Sequence, residues 1–284
     1  MGKKELIASV LDKLLINRFF FYLSNLIYGP HIRVVNYHDT PPDKSPNFEA
    51  QLQFYTKYYS PCDYADLDQF FKTGKWNKPK PGLIISFDDG LRDNIDNAVP
   101  LLEKYKFKGW FFIPSGIVDG TFKEQQDFVG KTEGRYKVNY PDGRYLMSWD
   151  ELKYLYNNHV IGCHTLTHHR MNIKDNDQLL TSEISDAKVL MERKLGKPID
   201  IYCWVGGEEH TYTREAAQKI KDSGYRFSFM TNTYPLTPGQ NPLQIQRTNI
   251  ETRNSLALVR FQLSILMDLY YRAKRNRVVK LTNV

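Results

Sequence analysis

Between residues 32 and 250, short apolar runs alternate with stretches of helical periodicity. The unbroken apolar run 83–87 is typical of a strand that is buried on both faces. Further strands are predicted over 32–37, 109–113, 160–163, 199–204, 227–230 and 243–248. Helices are predicted between them, over 48–59, 67–71, 94–106, 149–157, 177–195 and 213–222. This alternation predicts an α/β fold, a distorted (β/α) barrel of about seven parallel strands.

Two amphipathic segments flank this region. In the first, one helical face carries Leu6, Ile7, Val10, Leu11, Leu14 and Leu15, and the segment ends near Gly29 and Pro30. The second has the same period, with Leu256, Val259, Leu263, Leu266, Leu269 and Tyr270. We therefore divide the chain into an N-terminal amphipathic helical segment (1–30), a central domain (31–252) and a C-terminal helix with a basic tail (253–284).

The stretch 119–145 interrupts the alternation of strands and helices. It is polar and has no sustained hydrophobic period. We therefore interpret it as a long inserted loop near the rim of the barrel. Loops of this length in compact domains are usually functional or disordered.

The net charge of +7 is unevenly distributed along the chain. Arg272, Lys274, Arg275, Arg277 and Lys280 lie close together with no acidic residue among them. Such a cluster favours an anionic partner for the tail, although a solvated charged end is the alternative. Because the basic residues do not follow an aromatic-rich face, nucleic-acid binding is not expected.

The terminal helices have two interpretations. Next to a basic cluster, they are suited to peripheral contact with an anionic membrane, and packing against the domain or each other is the alternative. Charged residues interrupt the first apolar segment and no cleavage site follows it, so no signal peptide is predicted. We expect a cytoplasmic protein, peripheral on the inner membrane face if the helices bind lipid.

The first candidate for chemistry is the Asp88-Asp89-Gly90 sequence directly after the buried strand 83–87. Two adjacent carboxylates at a strand end repel each other and lose solvation unless a cation or a shared proton compensates them. Neighbouring side chains diverge, so one can bind a metal while the other faces a water molecule. A structural turn is the alternative, since Asp-Asp-Gly also suits a tight turn.

The second candidate is His164-Thr165-Leu166-Thr167-His168, directly after the predicted strand 160–163. Two imidazoles and one carboxylate form a three-ligand set with open positions, as in catalytic metal sites. Zn²⁺ is the default ion for such a set, and Co²⁺, Ni²⁺ or Mn²⁺ are alternatives. Two histidines four residues apart also occur by chance, so the argument depends on both motifs following strands.

The sequence resembles the polysaccharide deacetylases, the NodB-type domain of carbohydrate esterase family four. The likeness covers residues 33–250. The segment 85–90 (ISFDDG) matches the first motif of this family and 164–168 (HTLTH) matches the second. The segments 35–38 (VNYH), 110–114 (WFFIP) and 148–152 (SWDEL) match the neighbouring elements in the same order.

The resemblance implies a metal-dependent hydrolase that removes N-acetyl groups from an amino sugar. It implies Asp88 as the general base and Asp89, His164 and His168 as the metal ligands. The ion would polarise the acetyl carbonyl and acidify the attacking water, and Asp88 would accept its proton. The implied substrate is an N-acetylated saccharide, either a glycan or a lipid-linked sugar.

The chain departs from the family pattern in the segment 203–207 (CWVGG), where Val205 replaces the expected proline. Gly206 and Gly207 are candidates to approach the substrate or to donate an amide to the oxyanion, or they only form a turn. Trp204 either stacks on a sugar ring or fills the core.

The chain also lacks the late histidine that many family members use as the general acid, because no histidine follows His210. His38, at a predicted strand end, is the preferred replacement, and His210 or Asp88 itself are alternatives. Arg247 and Arg92 are candidates to pair with Asp88 and lower its pKa or to bind substrate, although each arginine also suits a surface ion pair. These departures leave two other functions open: a non-catalytic carbohydrate-binding relative, and a deformylase or amidase acting on a related substrate.

Overall fold

The computed structural model describes residues 3–131 and 140–284. Its centre is a barrel of parallel strands: β1 Ile32–Tyr37, β2 Ser60–Pro61, β3 Gly82–Phe87, β4 Gly109–Ile113, β5 Val160–Cys163, β6 Ile201–Cys203, β7 Phe227–Met230, β8 Ile245–Gln246 and β9 Thr248–Asn249. The spatial order is β8-β7-β6-β5-β4-β3-β1-β9, and β2 pairs with the first two residues of β3. The predicted α/β barrel is therefore confirmed.

A single residue separates the two strands that close the barrel. β8 pairs with β7, and β9 pairs with β1 at the other end of the sheet. Arg247 lies between them, and its backbone NH donates to the Met230 carbonyl oxygen while its carbonyl oxygen accepts from the Thr233 NH. The closing segment thus brings the Arg247 side chain close to the carboxyl ends of the strands.

Helices cover the outside of the barrel and both chain ends. Their bounds are α1 Lys3–Lys13, α2 Ile16–Tyr28, α3 Ser45–Tyr58, α4 Tyr64–Thr73, α5 Val99–Lys104, α6 Phe122–Lys131, α7 Trp149–Asn158, α8 Asp177–Leu180, α9 Ala187–Leu195, α10 Arg214–Asp222, α11 Leu256–Gln262, α12 Ile265–Tyr270 and α13 Arg272–Leu281. Two π-helical stretches, Asn94–Ala98 and Thr181–Asp186, interrupt helices that the sequence predicts as continuous.

Side chains alternate between two apolar clusters along the central strands. Ile84, Trp110 and Phe112 belong to the cluster enclosed by the strands, whereas Ile85 and Phe111 pack in the larger cluster with the outer helices. Because successive side chains point to opposite faces, this alternation continues past Ile84 through Ser86 to Asp88. The strand thus directs the first acidic residue of the pair towards the barrel axis.

The interpretation of 119–145 as a loop is wrong over residues 122–131, which form α6. Gln125, Phe128 and Val129 are buried on one side of this helix. One short stripe of this kind is not enough to produce a sustained period in the sequence. The residues 132–139 of the predicted loop lie outside the described residues.

The N-terminal helices do not bury the apolar stripe that the sequence predicts. Leu6, Ile7 and Leu14 are each more than half exposed. The buried residues of this pair of helices are Ala8, Asn17, Phe21 and Ser24. Asn17 fixes this orientation, since its Nδ2 donates to the carbonyl oxygens of Ala8 at 2.8 Å and of Ala257 in α11 at 3.2 Å. No described helix is long and apolar enough to cross a membrane.

The C-terminal basic residues form α13, and three of them bind protein groups. Arg275 is buried and donates to the carbonyl oxygens of Thr233 and Asp268. Arg277 forms a bidentate ion pair with Glu209 at 2.7 Å, and Lys274 donates to the Gly207 carbonyl oxygen. Much of the expected tail charge is therefore used within the fold.

A buried ion pair attaches the C-terminal helices to the barrel. Both terminal nitrogens of Arg33 in β1 donate to the carboxylate of Asp268 in α12 at 2.7 Å, and both residues are almost fully buried. We expect Arg33→Met to lower the free energy of unfolding by about 3–5 kcal/mol, because it leaves a buried carboxylate without its partner.

Denaturant unfolding monitored by circular dichroism measures this change. Lys72→Met is the matched control, since the ion pair between Lys72 and Asp68 lies at the surface and its loss should cost less than about 1 kcal/mol. A loss of similar size in the two variants would contradict the role of Arg33.

Candidate active site and metal centre

The Asp88-Asp89 motif and the His164–His168 motif meet in a cleft of about 980 Å³ at the carboxyl end of the barrel. Asp88 and Asp89 follow β3, and His164 and His168 follow β5, which lies two strands away. His38 follows β1, the neighbour of β3, and lines the same cleft. The fold therefore brings together residues that are far apart along the chain.

Asp88 is held by the arginine of the closing segment. Arg247 Nη1 donates to Asp88 Oδ1 at 2.6 Å and Arg247 Nη2 donates to Oδ2 at 2.9 Å. Nη1 also donates to Ser86 Oγ at 3.2 Å. Both charged side chains are almost fully buried, so this is a planar two-point ion pair of the kind that arginine forms with carboxylates.

The ion pair determines the protonation state of Asp88. Burial is the largest single effect and would raise its pKa, but the charge and hydrogen bonds of Arg247, together with the nearby imidazoles of His164 and His38, outweigh burial and lower the pKa below its usual value. Asp88 is thus an anion at neutral pH and able to accept a proton. The structure contains the predicted pairing of Arg247 with Asp88.

Asp89 faces the two histidines of the second motif. Its Oδ1 lies 3.0 Å from His168 Nε2 and 3.7 Å from His164 Nε2. This oxygen is buried and accepts no hydrogen bond of good geometry from the described residues. A buried carboxylate oxygen without a donor, facing two imidazole nitrogens, fits a divalent cation.

The protein orients and neutralises His164. Its Nδ1 lies 2.9 Å from the Cys203 carbonyl oxygen, which requires a proton on Nδ1 and leaves Nε2 with a free lone pair. Burial is the main cause that lowers the pKa of His164 to about 4. At neutral pH the ring is therefore uncharged, as a metal ligand must be.

The backbone around these ligands has an unusual conformation. Asp89, Thr165 and His168 have φ values of 72°, 65° and 61°, in the left-handed region that side chains other than glycine rarely adopt. Such residues cluster at functional sites. Here Glu183 stabilises the second motif, because its Oε2 accepts the NH groups of Leu166 and Thr167 at 3.0 and 2.9 Å.

A second group of potential ligands lies beside the first. Asp88, His164 and Cys203 also have ligand atoms within 4.8 Å of one another. However, both Asp88 oxygens accept from Arg247, and burial raises the pKa of the Cys203 thiol well above its usual value. Since a metal needs the thiolate, the set of Asp89, His164 and His168 fits an ion better.

His38 lies between two carboxylates. Its Nε2 is 4.0 Å from Asp88 Oδ2 and its Nδ1 is 3.6 Å from Glu251 Oε1. Burial opposes the charged ring, but the contact with Glu251 and the negative charges of Asp89, Glu251 and Asp88 together outweigh it and raise the pKa of His38 to about 9. The imidazole is partly exposed to the cleft and carries a proton that it can donate.

The other predicted residues divide into two groups. Gly206 and Gly207 line the cleft, but the NH of Gly207 already donates to Glu208 Oε2 at 3.1 Å. Trp204 is in the core, where its Nε1 donates to Ser228 Oγ at 2.9 Å, so it cannot stack on a sugar ring.

Arg92 and His210 lie away from this site. Arg92 pairs with Asp142 at 2.8 Å and with Asp96 at 3.3 Å, and its guanidinium lies over the Tyr140 ring. Since its carboxylate partners are Asp142 and Asp96 and it is not among the described residues that line the cleft, the alternative that it pairs with Asp88 is wrong. His210 is exposed on a 3₁₀ turn and does not line the cleft either.

Sequence reasoning missed several residues of the cleft. Phe128 of α6 packs edge-on against His168 with ring centroids 5.2 Å apart. Tyr271 and Lys274 near the C-terminus also line the cleft, as does Asp127. Lys274 belongs to the basic cluster that the sequence shows, although that cluster suggested an external partner. Glu251 and Glu183 belong to no motif that the sequence shows.

The sequence model of the polysaccharide deacetylase family matches residues 75–228. The chain belongs to the polysaccharide deacetylase family. A curated relative, YxkH of Bacillus subtilis (strain 168), bears a name that assigns it to the same enzyme class. It is 24% identical over 169 residues, which are 59% of this chain and 51% of the relative. The match thus spans about half the length of that relative.

Solved structures of deacetylases share the fold of this family member. The Streptococcus pyogenes deacetylase PplD, in complex with acetate, has a TM-score of 0.65 at 16% identity over 82% of this chain and 98% of its own. The de-N-acetylase of Aggregatibacter actinomycetemcomitans has a TM-score of 0.64 at 17% identity, over 82% of this chain and 99% of its own. IcaB of Ammonifex degensii has a TM-score of 0.62 at 17% identity, over 83% of this chain and 98% of its own.

We expect the protein to bind one Zn²⁺ per chain and His168→Ala to weaken this binding by at least about 100-fold, because the variant removes one of three donors. Isothermal titration calorimetry on metal-stripped protein measures the affinity. His210→Ala is the matched control, since it removes an exposed histidine outside the cleft and should bind Zn²⁺ like the wild type. Equal weakening in both variants would contradict the assignment.

Proposed function

We propose that this family member is a divalent metal-dependent hydrolase that removes the N-acetyl group from an amino sugar in a glycan or a lipid-linked saccharide. One observation carries the proposal: a carboxylate held anionic by a buried arginine lies beside a carboxylate and two imidazoles that face one another. A general base and a metal-binding set are thus adjacent at the floor of an open cleft.

Asp89, His164 and His168 are the residues that would hold the ion. A divalent ion bound there supplies Lewis acidity, which polarises an amide carbonyl and makes a water molecule more acidic. Zn²⁺ is the expected ion for two imidazoles and one carboxylate, with Co²⁺, Ni²⁺ or Mn²⁺ as alternatives. The uncharged state of His164 and its contact with the Cys203 carbonyl oxygen support this assignment.

Asp88 is assigned the role of general base. Its ion pair with Arg247 keeps it deprotonated at neutral pH, and the two bonds from the guanidinium fix the plane of the carboxylate. A fixed carboxylate accepts a proton from an attacking water with little reorganisation. Arg247 acts through Asp88 and is a positioning residue.

His38 is assigned the role of general acid, in place of the late histidine that the chain lacks. Hydrolysis of an amide needs a proton on the leaving nitrogen, and His38 is protonated at neutral pH and faces the cleft. Glu251 holds this ring from the side opposite Asp88. Together the three side chains provide both proton transfers of an amide hydrolysis.

The lining of the cleft supports a polar substrate. Amide and hydroxyl side chains from Asn36, Thr231 and Asn249 contribute to it, together with the backbone of Gly206. Charged residues of both signs stand around this lining, including Glu124, Asp127, Arg170 and Lys274. Hydrogen-bonding walls of this kind suit the hydroxyl groups of a saccharide better than an apolar amide.

Two alternative functions use the same cleft. A deformylase or amidase acting on a related substrate would share the metal ligands and the base, so only the range of substrates separates it from the proposal. A non-catalytic carbohydrate-binding relative would need neither an anionic base nor a protonated acid. The pairing of Arg247 with Asp88 favours catalysis over that reading.

We expect Asp88→Asn to lower kcat for acetate release from an N-acetylated chitooligosaccharide by about 10²–10⁴-fold, because the amide cannot accept a proton. Its Zn²⁺ content, measured by elemental analysis, should equal that of the wild type. Acetate release at the wild-type rate would remove Asp88 from the mechanism. Binding of the saccharide without acetate release by the wild type at any divalent ion would favour the non-catalytic alternative.

We expect His38→Gln to lower kcat for amide hydrolysis by about 10²–10⁴-fold while changing 4-nitrophenyl acetate hydrolysis much less. An amine leaves only after protonation, whereas nitrophenolate leaves without a proton. A parallel loss on both substrates would contradict the role of His38 as the acid.

Glu251→Gln tests the residue that positions His38. The variant keeps the shape of the side chain but removes one of the three negative charges that raise the pKa of His38. Since His38 must be protonated to act, the loss of amide hydrolysis at high pH should begin at a lower pH than in the wild type. An unchanged pH profile would exclude this role for Glu251.

A further inference from the structure

The two N-terminal helices present an apolar face to solvent. We define this N-terminal apolar face by its residues: Leu6, Ile7, Val10, Leu14, Leu15, Phe19, Tyr22, Leu26 and Ile27. Their exposed fractions run from 48% at Val10 to 80% at Leu26. These nine residues are more than half of the sixteen large hydrophobic residues that are exposed in the described part of the chain. An apolar concentration of this kind marks an interaction surface.

The packing of the helices fixes this face outward. On the opposite side, Ala8, Phe21 and Ser24 are buried against the rest of the protein. Asn17 bridges α1 and α11 through its two hydrogen bonds, and Arg260 of α11 pairs with Asp12 of α1. A rotation of the helices that buried the apolar face would break these polar contacts.

Positive charge surrounds the N-terminal apolar face. Lys4, Lys13 and Arg18 are exposed on the same two helices and have no ion-pair partner among the described residues. Asp12 is neutralised by Arg260, so Glu5 is the one acidic residue of this segment without such a partner in the described part of the chain. The surface is thus cationic as well as apolar.

We propose that the N-terminal apolar face docks on the surface of an anionic lipid membrane. Helices of 11 and 13 residues extend about 17 and 20 Å, less than the hydrocarbon thickness of about 30 Å, so they lie along the interface. Apolar and aromatic residues on one side with basic residues beside them are the features of interfacial helices. The charges of Lys4, Lys13 and Arg18 complement anionic headgroups better than they would a second copy of the same cationic face.

A basic residue beside the N-terminal apolar face links it to the edge of the cleft. Lys4 of α1 lines a small cavity of about 90 Å³, and this cavity shares Thr231, Asn249 and Tyr271 with the large cleft. Docking therefore brings the edge of the cleft close to the lipid headgroups, within reach of a saccharide that is attached to a lipid. That consequence rests on the proposed function, whereas the docking itself does not.

Co-sedimentation with vesicles tests the docking. We expect the full chain to bind vesicles of phosphatidylglycerol and phosphatidylcholine and to bind pure phosphatidylcholine at least tenfold more weakly. Phe19→Glu with Leu26→Glu should lower the partition coefficient on anionic vesicles by about tenfold or more, because it places charge within the inserted face. Lys13→Gln with Arg18→Gln should lower it by about tenfold through the lost headgroup attraction.

The matched control is Tyr154→Glu with Val189→Glu, which changes an exposed aromatic and an exposed aliphatic residue on α7 and α9, outside the proposed face. This variant should bind vesicles like the wild type. Thermal unfolding of every variant shows that it is folded, and this readout does not depend on hydrolysis. A failure of docking is therefore distinguishable from a failure of the proposed function.

Three results would overturn the docking proposal. The first is that the wild type does not bind anionic vesicles, and the second is that the Phe19 and Leu26 double variant binds as well as the control. The third is that light scattering shows a dimer for the wild type and a monomer for the same double variant, while neither protein binds vesicles. That result would assign the face to contact between copies of the chain.

Discussion

The candidate active site depends on how the barrel compensates two adjacent carboxylates that it buries. Asp88 and Asp89 are almost fully buried at the end of β3, and two neighbouring anions there would repel each other and lose their hydration. The protein resolves this in two different ways. Arg247 neutralises Asp88 with two hydrogen bonds, whereas the His164 and His168 rings face Asp89, whose Oδ1 has no hydrogen-bond donor in the described part of the chain. One carboxylate is thereby kept anionic by an arginine and the other faces two imidazoles, which supports the base and the metal ligand that we propose.

The closure of the barrel and the chemistry of the site therefore depend on the same segment. Arg247 separates β8 from β9, so the strand pairs that close the sheet also determine where its guanidinium lies. The next residues add Asn249 to the wall of the cleft and Glu251 beside His38. A change in the register of this short segment would remove the partner of Asp88 and the partner of His38 together.

The sequence predicted the parts that local patterns encode. The alternation of apolar runs predicted the strands, and the two motifs placed Asp89, His164 and His168 at the carboxyl ends of two strands of the same sheet. It did not reveal α6, because a helix with one short buried stripe has no sustained period. Nor could it orient the N-terminal helices, because an apolar stripe suits both membrane contact and packing on the domain. The stripe is exposed, and Asn17 lies in the buried contact. Trp204 and Arg92 show the same limit. Each is of a residue type that could line the cleft, but tertiary packing places it elsewhere.

X-ray absorption spectroscopy of the zinc-loaded protein tests the central claim most directly, because the two potential ligand sets differ in sulfur. Coordination by Asp89, His164 and His168 predicts only nitrogen and oxygen neighbours, at about 2.0–2.2 Å, with the scattering pattern of two imidazoles. Coordination by Asp88, His164 and Cys203 would show one sulfur at about 2.3 Å and a single imidazole. The account predicts the first spectrum, and a sulfur neighbour or the absence of bound zinc would contradict it.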